Sequence, residues 1–242
     1  MSPVHLDPPD LPVGEAAMLT STKPGTGATL LELSHLGVLQ VQDEDTKPPI
    51  VILKDATLAV HTHQRALLKG LFPLLKPGES RVLRRGRKEN TRLVRAQAAS
   101  QEALHRQLAE RGCYSWMPTK RLRRRSTAGR RLTAEVGALK TAMTTVEAGQ
   151  LTLADLEQLL PWAFLFGLDD QWERLRTSVE DEPGWPSAPG RFELGKFRLA
   201  LAAFTSGTLP REYQKSRNDG TLDDDMRHIW GPDAGNTGTS GI

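Results

Sequence analysis

Arg121, Arg123, Arg124, Arg125, Arg130 and Arg131 crowd into "TKRLRRRSTAGRRL", residues 119–132, where seven of fourteen positions are Lys or Arg and none is acidic. Guanidinium groups at that density can bind an anionic surface, through forked contacts to phosphate or carboxylate oxygens. The wider charge distribution sharpens the point. From Arg81 to Arg131 there are 16 Lys/Arg against Glu89, Glu102 and Glu110, about +13 within a chain of net charge +3. The remainder therefore carries about −10. Asymmetry of this kind concerns partners rather than fold. The plain alternative is a solvated basic loop.

Other residue types that could do chemistry are weaker. "GTGATL" from Gly25 lacks the third glycine of a dinucleotide turn and follows no strand, so it reads as a helix start. His61 and His63 fall on one face of a segment read as extended. No Cys, Asp or Glu stands close by in sequence, which favours a core or surface role over metal ligation. The acids at Asp43–Asp45, Glu180–Glu182 and Asp223–Asp225 lack calcium-loop spacing. Cys113 is the only cysteine, so neither an intramolecular disulfide nor a site of paired thiolates can form. A basic loop beside it could lower its pKa, but its position at the start of a strand favours packing. Trp162, Phe164, Phe166 and Trp172 lie on consecutive helices and read as core rather than as a ligand box. No Gly-x-Ser-x-Gly or His-Glu-x-x-His pattern is present. No catalytic residue, cofactor site or metal ligand is assigned, and the chain is read as not an enzyme.

The elements that must position the arginines follow from periodicity. A helix is expected over 27–36, capped by Thr26, with Leu30, Leu33 and Leu36 every three residues and Gly37 as its stop. "VLQVQ" alternates as a half-buried strand, "DEDTKPP" turns, and "IVILK" is a second strand. This helix–strand–loop–strand order is that of a winged-helix unit. A helix follows at 63–75, with Pro73 in its last turn, and "SRVLR" reads as a short strand. A long helix is expected over 92–111, capped by Asn90 or Thr91 and stopped by Gly112. "CYSWM" is strand-like, which makes "PTKRLRRRS" the exposed loop of a second helix-then-strand unit.

From Thr127 the pattern turns wholly helical. Leu132, Val136, Leu139, Met143 and Val146 form one stripe, with Gly149 as the stop. Thr152 can cap the next helix, which Pro161 is expected to bend, and "DDQWERL" makes a short one. Phe197, Leu201 and Phe204 mark a last helix beyond a Pro/Gly linker. No internal repeat of fixed period is apparent. The expected fold class is α+β: an N-terminal arm (1–12), a winged-helix-like region (13–126), an all-helical region (127–205) and a disordered tail (206–242). No signal pattern opens the chain and no run of about 18 apolar residues exists, so a cytoplasmic location without transmembrane segment is expected.

Five segments in order resemble the YciQ-like family of predicted bacterial membrane proteins of unknown function, over roughly residues 8–190. "LEQLLPWAFLFGLDDQWERL" resembles that family's "LPYA…LG…W" signature. "GATLLELSHLGVLQV", preceded by "PPDLP", is similar to its "atLldLa.rGyl.i" segment. "ALHRQLAERGCYSWMPTKRLRR" is similar to its "L…L.erGwf…P..vR" segment. "GALKTAMTTVEAGQL" stands where the family has "GFr.YL..aE", without its Phe and Tyr, and "PGWP" where it often has Pro-x-Trp-Tyr. The resemblance implies a cytosolic assembly of winged-helix and helical parts joined to membrane spans, and it carries over no catalytic residue. By the same resemblance, no segment of residues 1–242 corresponds to the family's usual extracytoplasmic β-rich domain with its span. The chain also lacks the pair of membrane helices after "P..vR", since "KRLRRR" runs straight into "STAGRRL". By resemblance, the arginines mark where a family chain enters the membrane, and loops at that position are rich in Lys/Arg.

Together these readings lead to an expected function. The chain is a non-catalytic cytoplasmic interaction or regulatory module, peripheral at the inner face of the membrane, meeting anionic lipid or a protein partner through its basic face. The alternative is nucleic-acid binding by the second unit, with Arg92, Arg95, Arg106 and the loop. The first unit argues against it, because its helix has Glu32 and no Lys or Arg, and its loop is acidic.

Overall fold

Pro12 starts the first helix. Its ring holds φ at −58°, and α1 (Val13–Thr20) begins directly after it with no side-chain cap of its own. The orphan donor is satisfied from the next helix instead, since Val13 N donates to Glu32 Oε1 at 2.9 Å. α1 stops at Ser21, in the left-handed region at φ 55°. In this computed structural model the described residues are 6–21, 25–42, 49–83, 87–115, 124–147 and 150–180, with 195, 197, 198 and 201.

α2 (Gly25–His35) begins two residues before the expected start, and Thr26 is not its cap. The Thr26 hydroxyl accepts from Gln97 Nε2 at 3.1 Å. Gly37, at φ 74°, ends the helix turn as expected. Leu36 lies beyond the helix and is 43% exposed, so it is outside the apolar stripe to which its spacing had assigned it. β1 (Leu39–Gln42) and β2 (Ile50–Leu53) form an antiparallel hairpin, with Leu39 opposite Leu53. A 3-10 turn (Ala56–Leu58) leads to α3 (Thr62–Leu71). α3 ends earlier than residue 75 because Pro73 pushes the residue before it out of the helical region, and Phe72 sits at φ −123°, ψ 82°. β3 (Ser80–Val82) then returns to pair with β2, Val82 opposite Ile50.

α4 (Arg87–Glu110) is longer than expected at its start, so Asn90 and Thr91 lie inside it rather than capping it. Gly112, at φ 66°, stops it. β4 (Tyr114–Ser115) and β5 (Arg124–Arg125) pair antiparallel, Tyr114 opposite Arg125. The basic loop is thus enclosed by a hairpin directly after a long helix. Its tip, 116–123, lies outside the described residues.

The two helix–hairpin units repeat in backbone architecture what is not apparent as a sequence repeat. Val38 N donates to Leu33 O at 2.9 Å, and Cys113 N to Leu108 O at 2.8 Å. Gly37 N donates to Ser34 O, and Gly112 N to Ala109 O. Each hairpin closes the same way: Lys54 N bonds Val38 O, and Ser126 N bonds Cys113 O, both at 2.9 Å. A helix packs ahead of each unit, α1 on α2 and α3 on α4.

α5 (Thr127–Thr145) is capped by Ser126, whose hydroxyl accepts from Gly129 N. Its stripe of Val136, Leu139 and Met143 is buried, and the helix ends before Gly149, which lies outside the described residues. α6 (Leu153–Phe166) opens with a capping box between Thr152 and Asp155 and runs continuously through Pro161. α7 (Asp169–Glu180) follows. Residues 195, 197, 198 and 201 are helical, as expected of a last helix, with Phe197 and Leu201 buried. The expected tail lies outside the described residues. No helix among them is long and apolar enough to cross a membrane.

The fold class is α+β with a helical majority. One cluster of buried side chains runs from Leu11 to Leu201, so the change of character at residue 127 is a change of element type within a shared core. Trp162 and Trp172 both belong to that core, and Trp172 Nε1 donates to Leu156 O at 3.2 Å. Trp162→Ala is expected to cost about 3–5 kcal/mol as a large-to-small change in a packed interior. Urea unfolding measures it, and a cost under about 1 kcal/mol would contradict this packing.

Candidate functional site

The basic hairpin is positioned by two devices at the C-terminal end of α4. Gly112 turns the chain into β4, and the Ser126 hydroxyl donates back to Gly112 O at 2.6 Å. Gly129 allows the first turn of α5 to press on the Cys113 carbonyl, where a Cβ would collide. The hairpin is therefore clamped to the α4 stop at one side and to the α5 start at the other.

Of the six arginines assigned to this surface, Arg125, Arg130 and Arg131 are placed with their side chains. Arg124 is placed through its strand backbone. Arg121 and Arg123 lie outside the described residues. Arg130 is exposed and folds back on the hairpin, donating to Arg125 O and to Thr127 Oγ1, both at 3.1 Å. Arg131 is exposed and pairs with Glu135 one turn on, at 2.8 Å, which raises its already high pKa. Exposed pairs of this kind are weak and exchange readily for another anion.

The helices preceding the two hairpins differ. α2 is covered almost all round, with Gly27 to Leu31 and Leu33 buried, so it has no face to offer a nucleic-acid groove. On α4, Arg92, Arg95, Ala99, Glu102 and Arg106 form one exposed stripe. Glu102 is tied to Arg106 at 3.2 Å. Only the second unit combines an exposed cationic helix with a basic hairpin.

A second polar constellation escaped the sequence reading. His61 and His63 are not on an extended segment. His61 is the residue before α3 and His63 lies in its first turn, the two rings stacked at 5.7 Å. His63 is fully buried. Its backbone N–H and its Nδ1 both meet Gln107 Oε1, at 3.3 and 2.8 Å, so the proton sits on Nδ1 and Nε2 is a bare acceptor. No donor reaches that Nε2. Burial above all pushes the His63 pKa down to about 4, aided by the nearby His61 and Arg111 and opposed by the Gln107 bond.

Glu15 and Glu32 lie in the same region. Burial raises the pKa of Glu32, against the bonds it accepts from Val13 N and Gln64 Nε2. Glu15 is fully buried with neither oxygen hydrogen-bonded, while Arg111 Nε approaches Oε2 at 3.3 Å. Its pKa is raised by burial, an effect opposed by Arg111 and reinforced by Glu32. The Cys113 thiol nearby is buried and its pKa is likewise raised. Burial and Glu15 together outweigh Arg111, so the basic neighbourhood does not activate it. The signal that could have found this cluster is the placing of Glu15, Glu32 and Gln64 among apolar neighbours in the three successive segments that form α1, α2 and α3.

The remaining sequence candidates pack. Phe164 meets Phe197 edge-on at 5.6 Å, and Trp162 meets Phe166 at 5.9 Å. Arg198 lies over Phe164 at 4.0 Å and bonds Asp169. An open groove of about 420 Å³ between the N-terminal arm and α5 has Asp7 and Glu135 at its rim and an otherwise apolar lining. Among the described residues no three His, Cys, Asp or Glu side chains converge as metal ligands. No family model, curated protein or solved structure matches the chain.

The buried histidine gives a signed pH dependence. Its folded pKa of about 4 lies below the ordinary 6.5, so the folded state resists its protonation. The resulting stability is full above 6.5 and is lost as pH falls towards 4, by about 3 kcal/mol at that end. Glu15 and Glu32, with raised folded values, act oppositely and gain stability as pH falls through those values. The gap in unfolding free energy between wild type and His63→Gln should therefore narrow between pH 7 and pH 4 by about 3 kcal/mol. Urea titrations at both pH values test it, and a constant gap would refute the buried neutral imidazole.

Proposed function

We propose that this chain is a non-catalytic interaction or regulatory module that docks peripherally on an anionic membrane, or on a protein partner there, through the basic hairpin between α4 and α5. It acts at the cytoplasmic face. The observation that carries the reading is the clamped hairpin end, with Arg125 and Arg130 joined beside the Ser126 cap, Arg131 exposed on the adjoining start of α5, and a loop sequence rich in arginine between the strands. The likeness to YciQ-like segments supports it, because the basic run occupies the place where those chains approach the bilayer. Each cation near an anionic bilayer contributes about 1 kcal/mol, so six supply at most about 6 kcal/mol before screening.

A second reading is nucleic-acid binding by the same unit. One observation favours it: the exposed stripe of Arg92, Arg95 and Arg106 leads directly into the hairpin, as a helix-and-wing surface would. Both surfaces are polyanions, so salt sensitivity alone does not separate them. Vesicles with and without phosphatidylserine, and a random DNA duplex, are titrated side by side at about physiological ionic strength. Wild type is compared with a variant carrying glutamine at Arg121, Arg123, Arg124, Arg125, Arg130 and Arg131. The expected outcome is vesicle binding that the variant loses, with weaker duplex binding. Strong duplex binding without vesicle binding, with a log–log salt slope near −0.9 per neutralised phosphate, would establish the second reading instead.

A further inference from the structure

Resting on the anionic-membrane reading above, we infer that the turn between α3 and β3 is a lipid-insertion tip, with Leu74 and Leu75 entering the interface and Lys69 and Lys76 meeting headgroup oxygens. Leu74 is 66% exposed and Leu75 38%. Leu75 is also held at φ 50°, where a bulky side chain is strained and glycine or asparagine is favoured. Its N–H donates to Phe72 O at 3.0 Å, which fixes the turn. A leucine there bears the strain and stays outside the core, so packing does not explain its presence.

The rest of the turn is built to hold these side chains outward. Phe72 immediately before them is fully buried. Arg81 lies over the Phe72 ring at 5.8 Å and donates to Leu71 O at 2.8 Å, tying β3 to the end of α3. Gly78 N and Leu53 N bond Leu53 O and Glu79 O, both at 2.8 Å, which anchors the far side of the turn to β2. The turn is thus tied on both sides and carries two exposed apolar side chains.

Charge selects the occupant. Between Ala56 and Lys88 the chain has eight Lys/Arg and one acid, Glu79. Glu79 is already engaged, accepting from Lys76 N and pairing with Arg81 at 3.4 Å. Lys69 and Lys76 are exposed beside the leucines. α3 runs antiparallel to α4, with His63 against Gln107 and Gly70 against Ala96, so the end of α3 lies beside the part of α4 where Arg92 and Arg95 are exposed. Exposed leucines flanked in the chain by the exposed Lys69 and Lys76 match an anionic bilayer, whose headgroups take the charges and whose acyl boundary takes the side chains. The arginine stripe of α4 runs between this tip and the basic hairpin, giving two contacts at opposite ends of one helix.

The test uses the full chain and vesicles of phosphatidylcholine with and without phosphatidylserine. Leu74→Gln with Leu75→Asn should lower partition into anionic vesicles by roughly tenfold or more, with little dependence on salt. Its melting temperature should stay the same or rise, because asparagine relieves the positive φ. A Leu74→Cys variant carrying an environment-sensitive thiol dye should shift to the blue on adding anionic vesicles, the buried Cys113 staying unlabelled. Unchanged partition, or no blue shift, would overturn the tip. A fall in melting temperature that accompanies the lost binding would assign the leucines a structural role instead. If the six-arginine variant loses binding and the leucine variant does not, the hairpin stands and the tip falls. If wild type binds no vesicle, both fall.

Discussion

The close approach of α2 to α6 is the constraint on which the other contacts depend. Gly27 makes it possible, because a Cβ there would occupy the space of Phe164 and Leu201. With that side chain missing, the two helices share one interior and the final helical segment packs against both. α2 thereby loses every exposed face but its last turn, which removes it from any surface role. Interiors are packed like solids, so a contact this tight transmits its geometry to α1, β1 and α6 at once.

The same burial explains the polar residues between the first four helices. Pro12 supplies no cap for α1, so Glu32 reaches across to supply one, and Gln64 in turn satisfies Glu32. Glu15 and His63 sit in the same region without full satisfaction. Burying such groups opposes stability unless they are paired, and their neighbours offset only part of that cost. Arg111 joins this buried cluster to the stop of α4, where the second hairpin begins. A titration in the core is thus mechanically close to the basic surface.

Two units with one backbone plan are used in different ways. In the first, the helix is interior and the loop sequence is acidic. In the second, the helix shows arginines to solvent and the loop sequence is basic. The shared plan needs only a left-handed glycine after the helix, a carbonyl that accepts from the far end of the hairpin, and a helix packed ahead. Those demands fall on few side chains, so the units can match in architecture while their charges diverge.

The sequence by itself determined what depends on neighbours within a turn or two. Gly37 and Gly112 as stops, Thr152 as a cap, the α5 stripe, the first hairpin and the core tryptophans were legible because each rests on local backbone chemistry, whereas Arg124 and Arg125, expected in an exposed loop, form the strand that closes the second hairpin. Some local limits differ from the expected ones: α3 ends before Pro73, and α4 begins at Arg87, before Asn90. Burial was decided only by the tertiary structure. Glu15, Glu32 and His63 are polar types that composition assigns to the surface, and Leu36, Leu74 and Leu75 are apolar types that it assigns to the core. The three polar residues are buried by contacts between segments far apart in the chain, which no periodicity within one segment records, while the three leucines lie in the turns after α2 and α3.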